Sequence, residues 1–320
     1  MRALVTGATG FIGHHVVHAL CEAGHTVTAL VRSPAAATDL PVRQIRGHLH
    51  DAAALETALA DQDVVFHVAG QMAARSEAAY FHGNRDGTAN LVRAASQHAR
   101  HTRFVYVSSM AAGGPSRPGH PLRGEIPRRP VARYGRSKLA AEDAVRASEL
   151  PWTIVRPPLV YGPRDRQVLR MFRLARFGIA PLFGDGTQEL SLVYGPDLAD
   201  ALIAVATSDL TLRRVYYACH PEIITAAGFA RAIGRSLDKR VSILRMRRIV
   251  GTAVLALTAG GAILARRATP LTPEKANELF QPAWTADPDA IERDAGWKAG
   301  HDLAAGLDAT ARWYRAAGWL

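Results

Sequence analysis

The sequence predicts an α/β protein in which a doubly wound parallel sheet carries a smaller, mainly helical C-terminal part. Two observations predict it. Short apolar, β-branched runs at residues 3–5, 27–31, 64–68, 104–107, 152–155 and 215–217 alternate with helix-like segments that open at Ile12, Ala52 and Thr88 and, after Tyr134, run from Lys138 to Ala147. Past Pro157 the segments lengthen and become more helical, closing on an amphipathic run at 303–319 with Trp313 and Tyr314 among its apolar positions. With 48% hydrophobic and 21% charged residues, the composition is that of a folded chain. The expected division is 1–165 for the sheet-bearing unit and 166–320 for the remainder, with a segment near 190–218 returning to the sheet.

Met1-Arg2 runs directly into the first strand, so no secretory signal is expected. Cys21 and Cys219 lie far apart with no second thiol at metal-site spacing, which points to neither a disulfide framework nor a metal centre and fits a reducing, cytoplasmic location. The pairs His14/His18 and His48/His50 lack the carboxylate or thiol that would complete a ligand set, and read as surface histidines. The net charge is +11, but the basic residues are spread along the chain without a run interleaved with aromatics, so nucleic acid is not an expected partner.

The first strand runs straight into Gly7-Ala8-Thr9-Gly10-Phe11-Ile12-Gly13, which opens a helix. A glycine-rich turn in this position lets the backbone approach a pyrophosphate and turns the unpaired helix N–H groups towards it, the device of a Rossmann-type dinucleotide site. After the second strand the chain reads Val31-Arg32-Ser33, with no acid to hold ribose hydroxyls. Arg32 is placed to pair with a 2′-phosphate, so NADP is the expected cofactor and NAD the alternative. The Pro- and Gly-rich stretch 113–130 is expected to be a loop. Tyr134 and Lys138, four apart on one helical face, follow Ser108-Ser109 at the end of a strand. A cation near the phenol is expected to lower its pKa from about 10 towards the working pH, as a general acid/base for a carbinol needs.

Glycine loop, strand-end serine and Tyr-x-x-x-Lys, in that order, resemble the extended branch of the short-chain dehydrogenase/reductase superfamily, the NAD-dependent epimerase/dehydratase type that includes dihydroflavonol reductases and 3β-hydroxysteroid dehydrogenases. The resemblance also takes in His67-Val68-Ala69-Gly70, Asn84 with Gly87-Thr88 and Asn90, Arg156-Pro157 and Val160-Tyr161-Gly162-Pro163. It implies Tyr134 as proton donor or acceptor, Ser109 holding the substrate oxygen with Ser108 as its substitute, and Lys138 on the nicotinamide ribose. It further implies cofactor contacts at Gly7, Gly10, Phe11, Ile12, Gly13, Arg32, Val68, Ala69 and Pro157, a structural role for Asn84, and a homodimer through the helix carrying Tyr134. Three positions depart from the family pattern. Gly47-His48-Leu49 replaces the usual Gly-Asp-Leu, leaving the adenine to Leu49; Leu159 stands for an Asn and Leu190 for an Arg that hold a sugar diphosphate in nucleotide-sugar enzymes. Leucine cannot offset the desolvation of two phosphates. The leading expectation is therefore an oxidoreductase interconverting a secondary alcohol and a ketone on a hydrophobic small molecule. The alternatives are a nucleotide-sugar epimerase/dehydratase with tightly bound NAD and a non-catalytic dinucleotide-binding protein.

Residues 249–265 carry no charge and are flanked by Arg245, Arg247 and Arg248 before and Arg266 and Arg267 after. A bilayer span needs about 20 apolar residues, within a range of about 17–25. Two threonines and Gly260-Gly261 weaken that reading. A core or pocket-lining helix is expected, with peripheral membrane contact as the alternative.

Overall fold

The computed structural model describes residues 1–33, 42–125, 128–265 and 268–320. In its first half strands and helices alternate: β1 (Arg2–Thr6), α1 (Phe11–Glu22), β2 (Thr26–Val31), β3 (Arg43–Arg46), α2 (Ala52–Leu59), β4 (Val64–His67), α3 (Glu77–Phe81), α4 (Gly87–His98), β5 (Arg103–Val107), α5 (Met110–Gly113), α6 (Arg133–Arg146) and β6 (Trp152–Val155). The second half is more fragmented. It holds β7 (Leu159–Tyr161), α7 (Leu169–Ala175), β8 (Ile179–Phe183), β9 (Glu189–Leu190), β10 (Leu192–Tyr194), α8 (Gly195–Thr207), β11 (Arg214–Tyr216), β12 (Ile224–Thr225), α9 (Ala226–Arg235) and β13 (Ser242–Met246). It ends with α10 (Arg248–Leu264), α11 (Ala276–Leu279), β14 (Ala283–Trp284), α12 (Asp289–Ala295) and α13 (Leu303–Ala316).

Seven parallel strands make one sheet in the order β11-β6-β5-β4-β1-β2-β3, the Rossmann-type arrangement with β11 added at the edge. Strand alternation sorts the core into two layers. Ala3, Val5, Val64, Phe66, Val105 and Val107 pack with Val16, Val17 and Leu20 of α1 and Leu198, Leu202 and Val205 of α8. Leu4, Val65, Phe104 and Tyr106, one position away, point to the other face and pack with Leu55, Leu91, Ala141 and Val145 of α2, α4 and α6. The chain therefore returns to the sheet after β10, with α8 covering one face and β11 pairing β6 from Arg214↔Thr153 to Tyr216↔Val155.

The smaller C-terminal region has its own core, where Phe172, Phe229, Leu307 and Tyr314 surround Tyr161 and Tyr194 of the β7/β10 pair. Gly306 is required there, since a Cβ would lie 2.4 Å from the Tyr161 hydroxyl. The 113–130 stretch forms turns rather than regular elements over its described part, anchored where the Ser116 N–H donates to Ala283 and the Leu122 N–H to Thr285.

One expectation fails. Residues 249–265 do form a helix, but it is neither a core nor a pocket-lining one: Gly251 and Leu255 are buried, while Ile249 is 86%, Leu257 78% and Leu264 88% exposed. Apolar composition set the expectation; what is missing is a partner layer for most of the helix surface. Arg266 and Arg267 lie outside the described residues.

Candidate active site

β1 and β4 are neighbours from which the chain departs in opposite directions across the sheet, so a crevice opens at their carboxyl ends, the place where open α/β sheets bind ligands. The glycine loop fills the β1 side of it. Gly7 has φ +74° and a Cβ there would lie 2.7 Å from the Ala69 nitrogen; at Gly13 a Cβ would lie 2.1 Å from the Gly7 carbonyl oxygen. Both glycines are thus fixed by close backbone approach. Gly10 caps α1 without a side-chain hydrogen bond, which leaves the N–H groups of the first turn, Phe11 and Ile12 among them, for an anion. Val68 and Ala69, half-buried at the end of β4, face the loop across the crevice, and the Ala69 N–H donates to Thr6 Oγ1. A dinucleotide fits this cradle, because its shape excludes any side chain at 7 and 13 and its polar groups are backbone donors. Arg32 is exposed at the end of β2, and Leu49 is half-buried against Gly87 with its carbonyl accepting from Asn90 Nδ2.

Ser109 and Tyr134 meet at the neighbouring strand ends, with Lys138 one helical turn further along α6. Ser109 follows β5, caps α5 by accepting the Ala111 N–H at 3.1 Å, and hydrogen-bonds the Tyr134 phenol. Ser108 points elsewhere, donating to Glu142 Oε1 at 2.6 Å. Lys138 is buried on α6, donates to the Val107 carbonyl at 2.8 Å and lies 4.3 Å from the centre of the Tyr106 ring. Pro157, also buried, accepts the Met110 N–H at 2.9 Å through its carbonyl, fixing the start of α5. Asn84 is buried on the π-helical turn His82–Asp86, where its Oδ1 accepts the Gln71 N–H and its Nδ2 donates to Ser137 Oγ, tying the chain after β4 to the helix of Tyr134.

The electrostatics correct one expectation. Burial pushes the Tyr134 phenol up to about 12, only partly opposed by the Ser109 hydrogen bond and reinforced by the charge of Glu278. Burial also brings Lys138 down to about 7, with Glu142 pulling it back up. The ammonium is spent on the Val107 carbonyl and the Tyr106 ring, so desolvation wins over cation stabilisation of a phenolate. Tyr134 is accordingly a protonated phenol at neutral pH. His67, buried in β4 between Thr6 Oγ1 at 2.7 Å and Thr88 Oγ1 at 2.9 Å, is held neutral by burial and by Lys138, with its pKa down to about 3.

Two features of the site escaped the sequence. Glu142, one turn beyond Lys138, forms a bidentate pair with Arg156 at 2.8 and 2.7 Å, both side chains fully buried. The i, i+4 spacing of Lys138 and Glu142 was the available signal. The second feature is a strap from Pro270 to Glu278, which with Tyr80 and Tyr134 encloses a cavity of about 50 Å³. Glu274 holds it down, accepting from the Arg133 N–H at 3.1 Å and pairing with Arg133 at 2.9 Å and Arg136 at 3.1 Å. Leu159 lies 36% exposed on β7, whereas Leu190 packs into the cores of the C-terminal region.

Comparison with known proteins agrees with this geometry. Residues 3–217 match the NAD dependent epimerase/dehydratase family. The chain is 34% identical over 334 aligned residues to the ceramide reductase of Caulobacter vibrioides (strain NA1000 / CB15N), covering 99% of this chain and 95% of that protein. It is 35% identical over 206 residues to the 2-alkyl-3-oxoalkanoate reductase of Stenotrophomonas maltophilia (strain K279a), covering 61% and 62% of the two chains. The solved structure of MoeE5 in complex with UDP-glucose and NAD superposes with a TM-score of 0.77 at 26% identity, over 99% of each chain.

Proposed function

Because the chain belongs to the NAD dependent epimerase/dehydratase family, and is an NAD(P)-dependent oxidoreductase of its extended short-chain type, we propose that it reduces a ketone on a long-chain, apolar small molecule, with NADPH preferred. The observation that carries this reading is the Tyr134 phenol placed beside Ser109 at the cavity, since a phenol there can donate a proton to a ketone oxygen. When bound, the dinucleotide supplies the hydride. Gly7, Gly10, Phe11, Ile12 and Gly13 would receive its pyrophosphate, Arg32 its 2′-phosphate, Leu49 the adenine, and Val68, Ala69 and Pro157 the nicotinamide end. Lys138 would hold the nicotinamide ribose. Ser109 Oγ donates to the carbonyl oxygen and orients it towards Tyr134. With hydride supplied to the carbonyl carbon, Tyr134 would give its proton to the oxygen, leaving a secondary alcohol and a phenolate that water would reprotonate.

The two reductase relatives, whose names specify a ceramide and a 2-alkyl-3-oxoalkanoate, support an apolar substrate, and Leu159 in the place of a polar residue agrees with it. The cavity of about 50 Å³ has room for one or two waters at about 30 Å³ each, so a long-chain ketone enters by displacing the strap. Exposed and half-exposed ion pairs such as Glu274–Arg136 are worth about 0–1 kcal/mol, which lets the strap open.

A second reading, nucleotide-sugar epimerase or dehydratase, is favoured by the fold match to MoeE5 with UDP-glucose and NAD. Steady-state kinetics separates the two. Stoichiometric NADPH consumption with a 3-oxo long-chain amide or acid, and none with UDP-glucose, is the expected result. Copurifying NAD together with isomerisation or dehydration of a UDP- or dTDP-sugar without net cofactor consumption would replace the first reading by the second.

A further inference from the structure

The helix α10 packs on Phe183 of β8, on Phe280 and on α11 with the turn Pro273–Lys275 before it, through a narrow contact. A Cβ at Gly251 would lie 2.8 Å from both Phe183 and Phe280, so the glycine lets the helix sit close, and Leu255 one turn on is the next buried position. The opposite face presents Ile249, Val250, Val254, Leu257 and Leu264 to solvent with no charge among residues 249–265. This surface continues past the helix. In the parallel register Ser242↔Ile179, Leu244↔Pro181 and Met246↔Phe183, the side chains of Ile179 and Leu244 share the sheet face that ends under α10. Both are exposed, and Phe177 beside them is 71% exposed with the Arg176 guanidinium over its ring.

The charge around this patch is mainly positive, with Asp185 beside Arg245 as the acid within it. Residues 239–273 contain Lys239, Arg240, Arg245, Arg247, Arg248, Arg266 and Arg267 and no acid. Arg245 and Arg247 line a cavity of about 520 Å³ at the foot of α10. An uncharged helix edged by cations is complementary to a surface whose outer layer is anionic and whose interior is hydrocarbon. A second copy of this chain is disfavoured, because pairing the apolar faces would bring the same cations of both copies together. No helix among the described residues is long and apolar enough to cross a membrane. The strap over Tyr134 begins at Pro270, six positions after Leu264, so whatever holds α10 lies next to the mouth of the site.

We propose that α10, together with Phe177, Ile179 and Leu244, docks on an anionic lipid bilayer, lying along it and bringing the mouth beside Tyr134 to the lipid. The proposal rests on the apolar-ketone reading of the site and deepens it: the substrate is one dissolved in the bilayer, taken up without crossing water.

The experiment is flotation of the intact protein with vesicles of phosphatidylcholine alone and with one third phosphatidylglycerol, at low and moderate salt. The expected result is binding to the anionic vesicles that weakens with salt, since exposed charges are screened beyond about 8 Å at physiological ionic strength. Leu257→Asp and Ile249→Asp each reduce partitioning about tenfold or more, the effect of losing one buried aliphatic side chain, and Arg240→Gln with Arg247→Gln removes the preference for phosphatidylglycerol. Reduction of a short, water-soluble ketone is measured on the same samples. Unchanged turnover there with lost flotation supports docking, whereas absent turnover with intact flotation would count against the reductase reading alone. Protein that stays at the bottom of both gradients overturns the docking proposal. So does a concentration-dependent dimer in light scattering that Leu257→Asp dissolves, which would make the patch a self-interface.

Discussion

Arg156 grips Glu142 with two parallel N–H···O bonds, Nε to Oε1 at 2.8 Å and Nη2 to Oε2 at 2.7 Å, and neither side chain has any exposed surface. The pair joins the carboxyl end of β6 to the middle of α6, and the same carboxylate takes the Ser108 hydroxyl and the Arg146 guanidinium. Two elements that carry site residues, Ser109 after β5 and Lys138 on α6, are thereby locked to each other.

Glu142→Gln is therefore expected to destabilise the fold by about 3–5 kcal/mol, the cost of leaving a buried charge without its partner, read as a lower midpoint in urea unfolding. Burial alone would raise the Glu142 carboxyl, but hydrogen bonds from Arg156 and Ser108 hold it below the ordinary carboxylate range. A depressed folded-state pKa means that this stabilisation is present above the ordinary carboxylate value and is lost as pH falls through the lower one. The acid limb of the stability profile should flatten in the variant. A variant as stable as wild type at neutral pH would show that the pair does not hold the site together.

Gly13→Ala should abolish dinucleotide binding or folding, because its Cβ would sit 2.1 Å from the Gly7 carbonyl oxygen, a backbone atom that cannot swing aside. Gly260→Ala is the matched control, since nothing lies within 4 Å of a Cβ there and alanine favours the helix by about 1 kcal/mol. Thermal-shift titration with NADPH reads both. Normal binding by Gly13→Ala would mean that the close approach of Gly13 to the Gly7 carbonyl is not needed for the site.

Arg32→Ala tests the cofactor choice directly. A charge-assisted hydrogen bond to phosphate contributes roughly ten- to a hundredfold in affinity. NADPH binding should weaken by that factor with NADH unchanged. Equal weakening of both, or of neither, would place Arg32 in solvent.

These cases also mark what a sequence makes legible. Gly7 and Gly13 stand out because only glycine tolerates backbone at contact distance, and Tyr134 and Lys138 because one helical turn brings them together; both are local demands, written in adjacent letters. The Glu142–Arg156 pair joins residues fourteen apart through tertiary packing, and Glu274 and Glu278 reach Tyr134 from about 140 positions away. No local period reports such meetings. The Tyr134 pKa departs from the expectation for a related reason, since spacing shows that a lysine is near but not how strongly burial acts on the phenol. Likewise, the apolar run at 249–265 announced a helix without announcing that most of it would lack a protein partner.

Glu278→Gln puts the strap and the phenol to the same test. Glu278 is almost buried, ion-paired with Lys275, and its negative charge adds to burial in raising the Tyr134 phenol. Neutralising it makes the phenolate less unfavourable, so the phenol pKa falls from its raised value. Ketone reduction needs the proton on the phenol, and its rate drops where that proton is lost. The alkaline limb of kcat against pH should therefore move to lower pH, by up to about one pH unit for a single nearby charge. Lys275→Gln removes the counter-ion and leaves the Glu278 charge, so its limb should stay or move the other way. A purely structural role for Glu278 would lower stability and kcat at every pH without moving the limb. A limb unmoved in Glu278→Gln with full activity would show that Tyr134 does not sense the strap.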